Sequence, residues 1–581
     1  MWNKSTIGML LFFSLVGLIV ACGSSNNSEN ESEPSDDDDS GGLADDDATA
    51  DDDSTIDDDA QADDDSAESD DDSGGDDDIQ DDDSGVDDDI ADDDSALDDD
   101  SAADDDSGDD DSGAEQIFHN PHDGLLYVAA GYAVITPNDQ NHPCPKFMGG
   151  YTGNRIATGT HDELEARALV MELDGVHIVL VSLDLVGLMI ADIDKVLNAL
   201  EEYGVDRKHV IISCTHTHEG PDTLGLWGPD PFHTGRCPEY VDFLAVTITD
   251  LIVQIAGQMV PATVRSAETQ INEPGSNHPN LTDDFRYPYV FNDHLTSFIF
   301  ENDSSQAIAT LVNWHSHPEV LIAENVYSSD FPRWCRKKLE EEFGGTCVYF
   351  SGTVGGLTSP LGVSMPERTA DGVPVLNNGQ QVFVYDDNEI KAWSLGYVIG
   401  EYVTQALDSA PATGTALAIE STIVNIPFTN PLYILAELMG IIAPYGDFIT
   451  DQPWICGLYG CVPQPIIHVQ LGATQMISLP GEAFPETSVG RPEFTYDWGD
   501  PWGEHTYPAI QGYRDWVPEG QLLIEFGLAD NEFGYLVPQF DFEPPGHPNY
   551  YEEQDCVTHT AETLVREAVI GLLDQTSSQN K

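Results

Sequence analysis

Residues 36–111 set the first constraint on folding. They hold 40 aspartates, mostly in triplets separated by Ser, Gly, Ala and a few aliphatics, and no lysine, arginine or aromatic residue. Such a stretch has too little apolar surface to offset the entropy of ordering a chain, and its like charges repel and extend it. It is expected to stay disordered and to act as a tether, so the folded body must lie beyond it. A calcium-binding repeat array is the other reading. Calcium loops need spaced oxygens around a fixed glycine turn, a spacing the tract lacks, so only diffuse cation binding is expected of it.

The tract's 40 Asp and Glu68 supply 41 negative charges; without them the formal charge of −87 becomes −46. The rest of the chain is therefore strongly acidic as well. Phosphate backbones need a basic surface, which argues against nucleic acid as a partner.

The N-terminus reads as a processing signal. Lys4 precedes an apolar run from Ile7 to Val20, too short for a comfortable membrane span. The run ends in Ile19-Val20-Ala21-Cys22-Gly23, which resembles a bacterial lipobox. That resemblance implies a signal peptide over 1–21, a lipidated Cys22 and membrane association through it. An ordinary secretory signal with an incidental cysteine is the alternative. Gly23 in place of Asp implies the outer membrane in a Gram-negative cell, and a location in the cell envelope facing the surface or periplasm. The expected organisation is a signal peptide over 1–21, an Asp-rich linker over 22–115 and one folded domain over 116–581.

Eight cysteines follow Cys22, at 144, 214, 237, 335, 347, 456, 461 and 556. An exported chain favours disulfides. Cys456 with Cys461, flanking a short glycine-containing loop, is the first expected pair, and Cys335 with Cys347 the second; spacing alone does not determine connectivity.

Within the folded part, apolar runs predict strands at 126–132, 168–173, 176–185, 210–213, 298–300, 307–314, 346–351 and 475–479. Helical spacing predicts helices at 191–203, 240–257, 331–342, 390–407 and 561–573. The alternation points to an α/β domain with a mixed β-sheet core flanked by helices. The apolar stretch 431–445 reads first as a buried helix, and second as the lining of an acyl groove or a membrane contact.

Four short polar motifs follow or adjoin strand-like runs: Thr215-His216-Thr217-His218, His317-Pro318, Pro480-Gly481-Glu482 and Gly534-Tyr535. Two imidazoles, a carboxylate and a phenol would make a shell for one zinc ion with room for water. His216 and His218 would splay on a helix and share a face on a strand; in an irregular turn one can ligate while the other faces substrate. His315 competes with His317. Glu482 would be costly to bury unless paired or metal-bound, or else it is a helix N-terminal charge. Tyr535 has the weakest claim on physical grounds, because core tyrosines are common.

These residues carry a wider resemblance. Gly131-Tyr132-Ala133-Val134, Gly159-Thr160-His161-Asp162-Glu163, Ser182-Leu183-Asp184-Leu185, Cys214-Thr215-His216-Thr217-His218-Glu219-Gly220-Pro221, Ser329-Asp330-Phe331-Pro332, Leu479-Pro480-Gly481-Glu482, Gly527-Leu528-Ala529-Asp530-Asn531, Gly534-Tyr535 and Tyr551-Glu552 resemble, in order, the N-terminal catalytic domain of the neutral/alkaline non-lysosomal ceramidases. The resemblance spans about residues 125–575. It implies a zinc amidohydrolase acting on a linear, lipid-like amide such as ceramide, with Zn2+ on His216, His317, Glu482 and Tyr535. It implies His218 and Tyr551 beside the substrate carbonyl, and it makes Asp184 a candidate to orient a ligand imidazole.

Three departures stand out. Gly355-Gly356-Leu357-Thr358-Ser359-Pro360 replaces the family's Gly-Asp-Val-Ser-Pro, leaving Ser359 as the nearest match to its active-site serine and Thr358 as a rival. The family's substrate-side arginine has no counterpart around 272–280. Its C-terminal immunoglobulin-like domain is expected to be missing, the chain ending at Lys581. The alternatives are a zinc esterase or amidase on a non-sphingolipid substrate, or a non-catalytic surface protein that uses the fold for binding.

Overall fold

The computed structural model describes residues 116–119 and 122–579, so Cys22, the signal segment and the Asp-rich tract lie outside the described residues. Eight strands form the larger sheet: Leu126–Val134, Glu165–Leu173, Val176–Leu183, Val210–Cys214, Val260–Gln270, His294–Glu301, Ala307–Trp314 and Thr346–Ser351. Val176–Leu183 runs parallel to Val210–Cys214, and Ala307–Trp314 parallel to Thr346–Ser351. The other neighbours are antiparallel, so the sheet is mixed, as expected. A second sheet runs Leu417–Pro427, Cys461–Leu471, Thr474–Ser478, Leu522–Phe526, its last pair parallel.

The two sheets face one another. Leu180, Phe298, Leu311 and Phe350 of the larger meet Val469, Met476, Ile524 and Phe526 of the smaller. Helices Ile190–Glu201 and Pro238–Ala256 cover one part of the larger sheet's other face, and Phe331–Phe343 with Glu389–Asp408 cover another. Ala561–Gln579 covers the outer face of the smaller sheet. The layering explains the sequence. Residues 178–183 are buried throughout, because a strand covered on both faces reads as a continuous apolar run rather than an alternating one.

Two expectations are corrected. Cys335 and Cys347 are separate buried thiols; the second disulfide joins Cys144 to Cys237, while Cys456–Cys461 forms as expected. The stretch 431–445 is not a buried helix. Its helical part is Pro431–Leu438, of which only Tyr433 is buried, and Leu432 and Met439 are 43% and 44% exposed. Among the described residues no helix is long and apolar enough to cross a membrane.

Candidate active site

The site gathers where strands of both sheets end. Thr215-His216 follows the strand that ends at Cys214, and His317 follows the one that ends at Trp314. Glu482 follows the strand that ends at Ser478 and pairs in parallel with Tyr535. The two sheets are stitched together just behind. Asp530 N–H donates to the Ile212 carbonyl at 2.8 Å, Ile212 N–H donates to Asp530 Oδ1 at 2.9 Å, and Gly527 N–H donates to the Ser351 carbonyl at 2.9 Å. Carboxyl ends of parallel strands are where open α/β sheets leave a crevice.

Three imidazoles meet there. The ligand atoms of His216, His218 and His317 all lie within 4.8 Å of one another, and all three rings are largely buried. His216 holds φ at 69°, a left-handed conformation rare outside glycine. The turn is fastened from both sides: His216 N–H donates to Leu185 O at 3.0 Å, and its Nδ1 donates to Val186 O at 2.6 Å. His317 Nδ1 likewise donates to Thr358 O at 2.8 Å. A carbonyl can only accept, so each Nδ1 carries the proton and each Nε2 turns its lone pair inward.

Those lone pairs face a carboxylate. Glu482 Oε1 is 3.5 Å from His216 Nε2, and Oε2 is 3.3 Å from His317 Nε2. His317 Nε2 and Glu482 Oε2 are buried without a hydrogen-bond partner. Acceptors set against one another in a buried place require positive charge between them, a proton or a metal cation. Burial opposes a charged ring at His317, but Glu482, with Glu319 nearby, outweighs it and lifts the group to about 9. Burial also works against ionised Glu482, yet His216 and then His317 hold it well below the usual carboxylate range. His218 is driven down, by burial first and then by the two neighbouring rings.

A cavity of about 400 Å³ opens on this cluster, lined also by Tyr535, Tyr551, Glu319 and Glu532, within the usual size of small-molecule sites. His315 is excluded from it: its Nδ1 accepts from Thr353 N–H at 2.9 Å, deep between the sheets. Asp184 does not orient an imidazole either. It takes a bidentate contact from Arg336 at 2.8 and 2.9 Å and a bond from Ser329 Oγ at 2.7 Å. The carbonyls of Val186 and Thr358 do the orienting.

The segment 355–360 braces the site. Thr358 O also accepts the backbone N–H of His317 at 2.9 Å, and Gly355 N–H donates to Ala483 O at 2.9 Å. A Cβ at Gly355 would stand 2.6 Å from the Glu482 carbonyl, so only glycine fits. Ser359 is buried behind the lining, and its Oγ donates to Glu319 Oε1. The other oxygen of Glu319 lies 3.4 Å from His218 Nδ1, itself without a hydrogen bond. Glu319 and Glu532 are the side chains that reading the motifs missed. Glu319 was within reach, two residues beyond His317; nothing in the sequence marks Glu532.

No protein-family profile and no curated protein sequence matches the chain. Solved structures do. The neutral ceramidase from Pseudomonas aeruginosa aligns with a TM-score of 0.57 at 15% identity, over 79% of this chain and 75% of that one. A ceramidase complexed with C2 aligns with a TM-score of 0.57 at 14% identity, over 79% and 76% of the two chains. At this identity the likeness speaks for architecture, and the chain has the neutral ceramidase fold.

Proposed function

We propose that the chain is a zinc-dependent amidohydrolase that cleaves the amide of ceramide or a related N-acyl lipid. One observation carries the reading. Two imidazoles with their outer nitrogens fixed on carbonyls direct Nε2 lone pairs at one buried carboxylate, 3.5 and 3.3 Å away. Imidazole nitrogens with one carboxylate are a donor set that suits zinc. His216, His317 and Glu482 would hold the ion, with Tyr535 beside Glu482. When bound, such an ion acidifies water and polarises a carbonyl.

The chain's own groups do the rest. His218 and Tyr551 stand on the cavity wall as donors toward a developing oxyanion. Glu319 stands 3.4 Å behind the ring of His218 and is itself steadied by Ser359. Leu224, Trp227, Phe285 and Leu361 offer apolar wall to an acyl chain. The ceramidases that share the fold support an amide of a lipid as substrate.

The test is metal content and turnover of a long-chain N-acyl amide by the parent, His216→Ala and Glu482→Ala, with the matching ester as control. About one zinc per parent chain, lost from both variants with a fall in amide turnover of roughly 100-fold or more, is expected. Equal zinc in all three proteins, or turnover of the ester alone, overturns the proposal.

A further inference from the structure

We propose that the chain docks on an electrically neutral, zwitterionic lipid surface through an apolar knob, Trp454 to Leu458, and the outer stripe of the helix Pro431–Leu438 beside it. This draws on the hydrolase reading above, whose lipid substrate resides in such a surface. Three large apolar side chains crowd one turn and are held out in water: Trp454 is 79% exposed, Ile455 56% and Leu458 93%. The turn itself is fastened. The disulfide Cys456–Cys461 closes it, and Ile449 and Cys461 exchange backbone hydrogen bonds of 2.8 and 3.0 Å. The Tyr459 ring packs on Phe428 and Phe448, with centroids 5.6 and 4.9 Å away.

The knob continues into the helix. Tyr459 Oη donates to Glu437 Oε2, and a Cβ at Gly457 would stand 4.0 Å from the methyl of Thr429, just before the helix. Leu432, Leu435 and Met439 recur at helical spacing and make one stripe. Leu432 and Met439 are exposed, whereas Tyr433 turns into the cavity. The same segment reaches the cavity mouth. Ala443 N–H donates to Leu224 O at 2.8 Å, and the cavity-lining Tyr151, Leu226, Phe285 and Tyr551 are themselves exposed. A contiguous exposed apolar surface marks a contact with a membrane, a ligand or another protein.

Two features choose lipid. A side chain as exposed as Leu458 has little of the protein beside it, so a solid partner could bury it only in a matching pocket, whereas fluid hydrocarbon takes it without one. Tryptophan next to aliphatics is also the composition that settles at the boundary of headgroups and acyl chains. Charge then selects the kind of lipid. From Ala392 to Gly490 the chain has no lysine or arginine, and the exposed charged residues nearest the knob in sequence are Asp447 and Asp451. Basic residues are what draw a protein to anionic lipid. Here two carboxylates, and a chain whose formal charge outside the Asp-rich tract is −46, oppose it. A zwitterionic surface carries no such penalty.

The test puts one fluorescent label at a time on the full chain carrying Cys22→Ser, whose free cysteines among the described residues are buried. Met439→Cys places the label on the stripe, and Val246→Cys places it on an exposed position of the helix Pro238–Ala256. With vesicles of phosphatidylcholine brominated along its acyl chains, quenching of the Met439→Cys label should exceed that of the Val246→Cys label at least ~5-fold. Exchanging half of that lipid for equally brominated phosphatidylglycerol at low salt should cut the quenching roughly threefold or more. Trp454→Ser with Leu458→Ser should remove most of it. The same double variant should turn over a long-chain N-acyl amide held in the vesicles about 10-fold more slowly, and a soluble short-chain amide within about twofold of the parent. Equal quenching of the two labels, quenching that survives the double variant, or stronger quenching on the anionic vesicles overturns the proposal. So does a lipid-free dimer that the double variant dissolves, which would give the face to a second copy of the chain. Preferential quenching without turnover of any amide would sink the hydrolase reading and uphold the docking face; turnover of the vesicle-held amide without preferential quenching would do the reverse.

Discussion

A single histidine away from the site shows how the residue scale sets pH behaviour. His161 Nδ1 is 2.9 Å from Asp162 Oδ2 and its Nε2 is 3.2 Å from Glu389 Oε1, at the start of the helix Glu389–Asp408. The bond to Asp162 outweighs burial and raises the ring to about 9. A raised pKa in the folded state gives stability that is complete below the unfolded value near 6.5 and is lost as pH rises through about 9. His161→Gln is therefore expected to melt lower than the parent at pH 6, by roughly 1 kcal/mol for a partly exposed pair. The gap in melting temperature should close above pH 9, and a gap that is flat or widens with pH refutes the assignment. At this scale the sequence exposes side chains and hides the backbone. His216, His317 and Glu482 could be read because each follows an apolar run and is a residue type that metals prefer. The carbonyls of Val186 and Thr358, which orient two of them, carry no residue identity. The choice between His315 and His317 was invisible for a related reason. It depends on where the chain leaves the sheet: His315, next after Trp314, still turns inward to Thr353.

Elements were legible where their periodicity was pure. The helices at 190–201, 238–256, 331–343 and 389–408 lie within two residues of the apolar spacing that announced them. The second sheet was not foreseen apart from the run that became Thr474–Ser478. Leu417–Pro427 runs in short apolar and polar blocks without the alternation of a half-buried strand and ranges from buried to exposed, and Cys461–Leu471 contains two prolines, which read as breaks. Long-range pairing was equally hidden. Cys144 and Cys237 are 93 residues apart, and only the packing of the helix Pro238–Ala256 on the larger sheet brings them to a Cα separation of 5.7 Å. That distance along the chain makes the bridge the more valuable of the two, since loop-closure entropy removed from the unfolded chain grows with loop length. Cys144→Ala with Cys237→Ala should cost about 2–5 kcal/mol, against clearly less for Cys456→Ala with Cys461→Ala. Urea melts of both double variants under oxidising conditions give the comparison, and the reverse order would show that loop length does not govern here.

Charge is the property that only the whole molecule has. Outside the Asp-rich tract the formal charge is still −46, with 20 lysines and arginines in the entire chain. Several of the scarce cations are spent inside: Arg167, Arg336 and Arg286 are buried against carboxylates. What remains on the surface is a net field of one sign, which opposes compaction. Salt acts on the two populations differently. Buried pairs are screened little, while exposed like charges lose most of their repulsion when the Debye length shrinks from about 30 Å at 0.01 M to about 8 Å at 0.15 M. Added sodium chloride should therefore raise the melting temperature across that range, although salt weakens the exposed ion pairs. Deleting residues 36–111 removes 41 negative charges from the chain but none from the folded body's own surplus. The slope of melting temperature against the logarithm of salt should stay positive in the deleted chain. A slope that vanishes with the tract would place the repulsion there instead, and a negative slope in both chains would mean that exposed ion pairs, not net repulsion, dominate the surface.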